Sequence, residues 1–342
     1  MPWSRFDRNY VAPTEGRELT YCAAIREAID QAMGLDPRVF CLGLDADDRF
    51  GVFGSMANLS HPERVLGTPI SENAMTGVAL GAALSGLRPI HVHLRSDFLL
   101  VAMDQIANYV AKWRDMFHTQ VAVPLVIRAI AGRGWGCGAQ HSQTLHGLFA
   151  QIPGLIVATP STPYDAKGLF LQAVKDDRPV LFLEHRWLYK DTGNVPAEPY
   201  TLPFGQCRVL HEGQGLTVVA TSLAATHCKI ACEQHGLDVE LLDPRTVKPL
   251  DLDGIVASVR RTGALAVVDY DFPFGGFAAE VLAAVSERAF SALRLPPQRL
   301  TFPDRGMPAS QVLERAYYPD PERIAALLRR MLDARATAGS AS

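Results

Sequence analysis

Residues 89–113 read PIHVHLRSDFLLVAMDQIANYVAKW, and residues 124–130 read PLVIRAI. A short apolar run at Pro89–His93, a longer stretch with helical spacing and a second short apolar run predict a strand, a helix and a strand. Within Asp97–Trp113, Leu100, Met103, Ile106, Val110 and Trp113 fall near one face, while Gln105, Asn108 and Lys112 point elsewhere. One amphipathic helix is expected there. Parallel neighbours need a crossover of this kind, so the alternation points to an α/β fold with mainly parallel sheets.

The alternation continues in both directions. Val39–Gly43, Leu155–Ala158 and Pro179–Glu184 read as further strands of the first unit. After Tyr189 the stretch KDTGNVPAEPYTLPFGQ is dense in Pro and Gly and lacks either periodicity, so residues 191–204 read as a linker. A second α/β unit then follows, with strands at Leu216–Thr221, Asp238–Leu242 and Ala264–Asp269 and helices at Leu223–His235, Leu252–Arg261 and Phe277–Arg288. Two domains are therefore expected, residues 1–190 and 205–342, with a small polar tail from Ala336 that should fray.

Composition narrows the function classes. With 342 residues, 48% of them hydrophobic and 20% charged, and a net charge of -3, the chain has the balance of a globular protein with sizeable cores and no basic surplus for nucleic acid. The opening MPWSRFDRNYVAPTEGRELTYC lacks the basic, apolar and small-residue order of a secretory signal. Met75–Leu87 is the longest apolar stretch; it is too short to span a bilayer and, rich in Gly and Ala, reads as a buried helix. Six cysteines without a CxxC pair suit a reducing, cytoplasmic setting rather than a disulfide scaffold. Cys228 and Cys232, one helical turn apart, read as buried hydrophobes.

Several polar residues stand out against this apolar background. In GTPISENAMTGVALGAALSGLRPI, residues 67–90, Glu72 lies at the mouth of a very apolar helix, where with Ser71 it either caps the helix or serves as a chemical tool. His141 sits in GAQHSQ, a polar loop context. His91 and His93 are two apart on a strand and share a face, the spacing of a metal site, but no third ligand accompanies them.

TPISE with its small-residue helix and GLRPI, followed in order by DQIANYVAKW, GAQHSQ, PGLIVATPSTPYDAKGL, RPVLFLEHRWLY, LLDPRTVKPLD and FGGFAAE, resembles the beta subunit of thiamine-diphosphate-dependent pyruvate and branched-chain 2-oxo acid dehydrogenases, in the transketolase-like superfamily. The likeness runs from about residue 20 to 330. It implies a pyrimidine-binding domain followed by a transketolase C-terminal-like domain. It also implies that Glu72 hydrogen-bonds ring nitrogen N1′ of the cofactor's aminopyrimidine, favouring the imino tautomer that deprotonates thiazolium C2. A carboxyl facing an apolar pocket has its pKa raised by desolvation, which suits that proton sharing. Phe98 then matches the aromatic residue against the aminopyrimidine, its alternative being core packing. His141 becomes an active-site group near the substrate rather than a structural histidine, while Gln140, Ser142 and Gln143 shape its loop.

Departures from the family are equally informative. Val92 stands where the family usually carries Glu, and Arg95 where it carries an uncharged residue, so HVHLRSDF reads as a re-tooled pocket wall. There His93 or Arg95 meets a polar or anionic substrate; a surface salt link is the plainer alternative. The resemblance further implies a monovalent cation, potassium, on the main-chain carbonyls of Leu125, Ala173, Asp176 and Arg178. No GDG motif occurs, so the ligands for magnesium and diphosphate are expected from a separate alpha subunit, in an α2β2 assembly that passes an acyl group to a lipoyl-bearing acyltransferase. Rival expectations are a split transketolase-like subunit moving a two-carbon ketol unit and a non-catalytic scaffold subunit.

Overall fold

The computed structural model describes residues 17–48, 50–117, 121–133 and 136–340. The expected absence of a secretory signal therefore rests on a stretch that lies mostly outside the described residues. The chain opens with β1 (Glu18–Thr20), α1 (Tyr21–Leu35), β2 (Val39–Gly43), β3 (Val65–Gly67), α2 (Glu72–Leu84) and β4 (Arg88–His93). It continues through α3 (Trp113–Met116), β5 (Val126–Ala131), α4 (His146–Ala150), β6 (Ile156–Ala158), α5 (Pro163–Lys175), β7 (Val180–His185) and β8 (Thr192–Asn194). The second half has β9 (Arg208–His211), β10 (Leu216–Ala220), α6 (Ser222–His235), β11 (Val239–Asp243), β12 (Thr246–Lys248), α7 (Leu252–Thr262), β13 (Leu265–Val268), α8 (Phe277–Ala289), β14 (Gln298–Leu300), α9 (Gln311–Tyr317) and α10 (Pro321–Ser340).

Seven strands form the first sheet in the order β12-β6-β7-β5-β4-β2-β3, parallel throughout except that β12 runs antiparallel to β6. Five form the second, β14-β13-β10-β11-β9, with only β9 antiparallel. The fold is α/β with mainly parallel sheets. Central strands such as β5 and β7 are buried along their whole length, which is why they read as continuous apolar runs.

Three expectations need correction. The helix predicted over Asp97–Trp113 is broken into a 3₁₀ turn at Ser96–Leu100, a π-helical turn at Gln105–Val110 and the short α3. The amide of Ala111 bonds the carbonyl of Ile106, and this wider turn rotates the buried face to Leu99, Ala102, Ile106 and Val110, leaving Leu100 40% exposed. The segment read as a linker is tethered to the first half. β8 pairs with β1, Lys167 Nζ donates to the carbonyls of Pro196 and Ala197, and the Tyr200 ring stacks on Tyr164 at 4.7 Å. Finally, α2 is buried on one side only: Thr76, Ala79, Leu80 and Ala83 pack inward, while Val78 and the preceding Ile70 are 54% and 77% exposed. Its small residues let it lie flat on the sheet, and one sheet face covers only one side of a helix. The tail expected to fray continues α10 as far as Ser340, and its last two residues lie outside the described set. Among the described residues no helix is long and apolar enough to cross a membrane.

The halves are joined by polar contacts as well as by β12. Lys248 Nζ donates to the carbonyls of Ala150 and Ile152, and the amide of Gly147 donates to Asp271 Oδ2 at 2.9 Å. The His146 ring lies 2.8 Å from Asp269 Oδ1 and 3.9 Å from Asp271 Oδ2. Burial alone would lower the His146 pKa, but the two carboxylates outweigh it and raise the value to about 9. A raised histidine pKa stabilises the fold fully below its ordinary value near 6.5, and that contribution is lost as pH rises through about 9. The melting-temperature gap between the wild type and His146→Gln should therefore narrow between pH 7 and 10, as followed by circular dichroism. A gap that stays constant over that range means that the pair does not clamp the halves through its charge.

Candidate active site

Every candidate side chain but the cation-binding set lies at one edge of the first sheet, outside the carboxyl ends of its parallel strands, where α/β proteins bind ligands. Glu72 follows β3; His93, Arg95 and Phe98 end or follow β4; His141 lies in the loop after β5. A small open cavity of about 50 Å³ at this edge is lined by Leu44, Ile70, Glu72, Met75, His93 and Phe98, among others.

Glu72 is the first residue of α2, where the helix dipole favours a negative charge. Ser71 precedes it yet makes no side-chain capping bond. The Glu72 carboxylate has no hydrogen-bond or ion-pair partner among the described residues, so it is available to whatever enters the cavity. His91, on the face of β4 that meets α2, is held by Thr76 Oγ1 at 3.1 Å and the Leu42 carbonyl at 3.3 Å, and burial lowers its pKa to about 4. The His93 ring packs against it at 4.3 Å. Burial and then the neighbouring His91 hold His93 well below the ordinary imidazole value, and its Nε2 is buried without a partner. Both rings are thus neutral near pH 7. Among the described residues no group of three or more His, Cys, Asp or Glu forms a metal cluster, and all six cysteines are free.

Phe98 and His141 meet edge to face at 5.1 Å. Their contact is fixed by the loop between them. Asp97 Oδ1 accepts from the amide and the side chain of Gln143 at 3.2 and 3.0 Å, and Ser96 Oγ donates to the Gln143 carbonyl at 2.7 Å. Further along, the Gly136 amide donates to Glu314 Oε2 of α9 at 3.1 Å. Gly136 has a φ of +78°, and a Cβ there would lie 2.5 Å from the carbonyl oxygen of Ala309, so the loop is pressed against the second half of the chain where only glycine fits. Arg95, at the head of the same 3₁₀ turn, is only 7% exposed.

The carbonyls proposed for a monovalent cation lie elsewhere, at the opposite edge, before β5 and before β7. The Leu125 carbonyl accepts from the Val180 amide, and that of Asp176 shares the Arg88 guanidinium with those of Val174 and Lys175. The structure therefore brings Glu72, His93, Phe98 and His141 together and leaves Leu125, Ala173, Asp176 and Arg178 apart from them.

Asp97, Thr76 and Glu314 were not singled out from sequence. A lone aspartate inside the apolar run SDFLL was a usable signal for the first. Glu314 carries none, because its partner is distant in sequence.

Residues 17–192 match the family described as "Transketolase, pyrimidine binding domain" and residues 205–324 match "Transketolase, C-terminal domain". The chain is 40% identical to the beta subunit of acetoin:2,6-dichlorophenolindophenol oxidoreductase from Cupriavidus necator, over 92% of this chain and 98% of the relative. The chain belongs to this transketolase-type family of dehydrogenase beta subunits. Two further relatives are the beta subunit of the pyruvate dehydrogenase E1 component of Acholeplasma laidlawii, 39% identical over 93% of this chain and 99% of the relative, and the 2-oxoisovalerate dehydrogenase beta subunit of Bacillus subtilis, 38% identical over 92% and 99%. A solved structure titled "Split gene transketolase, inactive beta4 tetramer" shares the fold, with a TM-score of 0.74 over 92% of this chain and 99% of that one, at 22% identity.

Replacing Asp97 by Ala strands the two Gln143 donors, which should cost about 1–3 kcal/mol in urea denaturation, the usual penalty for unsatisfied buried groups. A change below about 0.5 kcal/mol, the size typical of ordinary surface substitutions, would show that Asp97 does not hold the His141 loop.

Proposed function

We propose that the chain is the beta subunit of a thiamine-diphosphate-dependent 2-oxo acid dehydrogenase, decarboxylating a 2-oxo acid and passing the acyl group to a lipoyl arm. One observation carries this reading: an unpartnered carboxylate, Glu72, faces the same apolar cavity as the Phe98 ring, and His141 leans on that ring. The cavity suits a flat, weakly basic heterocycle. Glu72 would hold ring nitrogen N1′ of the aminopyrimidine and exchange a proton with it, while Phe98 offers the stacking face. When bound, the cofactor supplies the electron sink for decarboxylation. His141, exposed on one side, would hold the substrate carboxylate or move a proton during acyl transfer.

The partner belongs to the same reading. With no GDG motif in the chain, magnesium and diphosphate would be held mainly by an alpha-type subunit in an α2β2 assembly, and the open apolar side of α2, beside Glu72, is a surface for it. The domains would divide as residues 1–190 and 205–342 around the tethered segment 191–204. A potassium ion on the Leu125, Ala173, Asp176 and Arg178 carbonyls would be structural, remote from the chemistry. Free cysteines fit a cytoplasmic setting. A non-catalytic scaffold gives no use to the unpartnered Glu72.

Calorimetric titration of thiamine diphosphate into the purified chain, with and without magnesium, should show only weak binding that tightens when the alpha subunit is added. Tight magnesium-dependent binding to this chain alone refutes the shared site. In the assembled complex, Glu72→Gln should retain cofactor but slow hydrogen exchange at C2, read by NMR after acid quench, by about 100-fold or more, since an amide does not take up the proton. An unchanged exchange rate returns Glu72 to a structural role at the helix start.

A further inference from the structure

Arg95 is a buried cation without a hydrogen-bonded counter-ion, and the Asp97 carboxylate nearby feels its charge only through space. It is 7% exposed, yet its guanidinium forms no hydrogen bond or ion pair with any described residue. Asp97, two residues on, turns its carboxylate to Gln143 instead. A guanidinium taken out of water and left unpaired is costly, and such a group persists where something else supplies the negative charge.

More positive charge gathers around it. Arg133 follows β5, its guanidinium lying 4.0 Å from the Trp187 ring and 4.6 Å from the Tyr318 ring, and its Nε is buried without a partner. Arg186 follows β7 and lies over the Phe53 and Tyr189 rings at 4.9 and 4.6 Å. Burial first, then the charges of His227, Arg133 and Arg95, hold His185 at the end of β7 well below its ordinary value. Arg95 also acts unfavourably on Arg186. Cations therefore converge from the carboxyl ends of β4, β5 and β7, the three adjacent strands beside the cavity that holds Glu72. On that cavity wall, two residues before Arg95, His93 keeps its buried Nε2 unpartnered. As a neutral ring it donates or accepts one hydrogen bond.

We propose that Arg95, supported by Arg133 and with His93 on the adjoining wall, receives a second negative group on the substrate, a distal carboxylate or phosphate that lies away from the oxo carbon. This rests on the dehydrogenase reading above and names its substrate class, a 2-oxo acid with an anionic tail in place of a simple alkyl one; preference for a ketose phosphate would keep the anion site and overturn that reading in favour of ketol transfer. Cation–π contacts fix Arg133 without neutralising it, so its charge stays directed at the ligand.

Two measurements test it separately. In the cofactor-loaded complex with its alpha subunit, kcat/KM is compared for 2-oxoglutarate, a ketose 5-phosphate and the neutral isostere 5-methyl-2-oxohexanoate. The wild type should prefer one of the two anionic compounds, and which one identifies the group as carboxylate or phosphate. Arg95→Met should lower that preference by about 100-fold, chiefly through KM, and Arg95→Lys should restore part of it. In the second measurement the melting temperature of the chain alone is followed against inorganic phosphate and against glutarate at fixed ionic strength. Stabilisation by either anion that disappears in Arg95→Met supports the anion site even if no oxo acid is turned over, a result that would sink the dehydrogenase reading alone. Equal use of the neutral isostere by the wild type overturns the proposal, as does an Arg95→Met variant that loses all substrates equally and melts lower with no anion response.

Discussion

The ion pair between Arg128 on β5 and Glu184 on β7 is the constraint on which this edge of the sheet depends. Both side chains are completely buried, and Arg128 also donates to Ser55 Oγ while Tyr189 donates its hydroxyl to Glu184. Burial disfavours the charged guanidinium, but Glu184 more than compensates and the Arg128 pKa is raised. Removing one partner of such a pair leaves an uncompensated buried charge, at a cost of about 3–5 kcal/mol. The geometry it fixes matters more than its net strength. Adjacent central strands are held in one register, and from their ends leave the His141 loop and the turn carrying His185 and Arg186.

That arrangement explains which parts of the fold were legible in the sequence. Parallel strands buried on both faces leave mainly apolar runs, so Val39–Gly43 was read to the residue and the other strands read from sequence to within one or two positions, whereas the short edge strands β3 and β14 were not read. The break in Asp97–Trp113 was not legible. A regular amphipathic pattern predicts an α-helix wherever nothing local opposes it, and what opposes it here is tertiary: Asp97 and Ser96 are tied to Gln143 in a loop more than 40 residues away. The contacts of the segment after Tyr189 were hidden for a related reason. Its backbone groups are satisfied by β1 and by Lys167, partners that no window of local sequence contains.

For the site, residue types and family likeness singled out Glu72, Phe98 and His141; the first two line one cavity, and His141 meets the Phe98 ring. What the sequence did not disclose is how each polar group is satisfied. Gln143 was read as shaping its loop, and it does so through Asp97 and Ser96. His91 and His93 looked equivalent, two apart on one strand, but the first has both ring nitrogens occupied and the second does not. Arg95 looked like a candidate for a surface salt link. Its burial without an ion pair removes that alternative.

Two classes of polar group therefore share this molecule. Arg128 with Glu184, His146 with Asp269, and Asp97 with Gln143 are paired within the chain, and they hold strands, halves and loop in place. Glu72, His93 and Arg95 have no such internal partner, and they stand close together at the carboxyl edge of one sheet. A buried polar group without a partner carries a desolvation cost, which His93 and Arg95 bear beside the half-buried Glu72, and a ligand at this edge would offset it. The grouping of these three side chains beside one cavity marks the surface that a ligand would complete, and it sorts the demands made there: a proton-sharing heterocycle at Glu72, a neutral hydrogen-bonding group at His93 and an anion at Arg95.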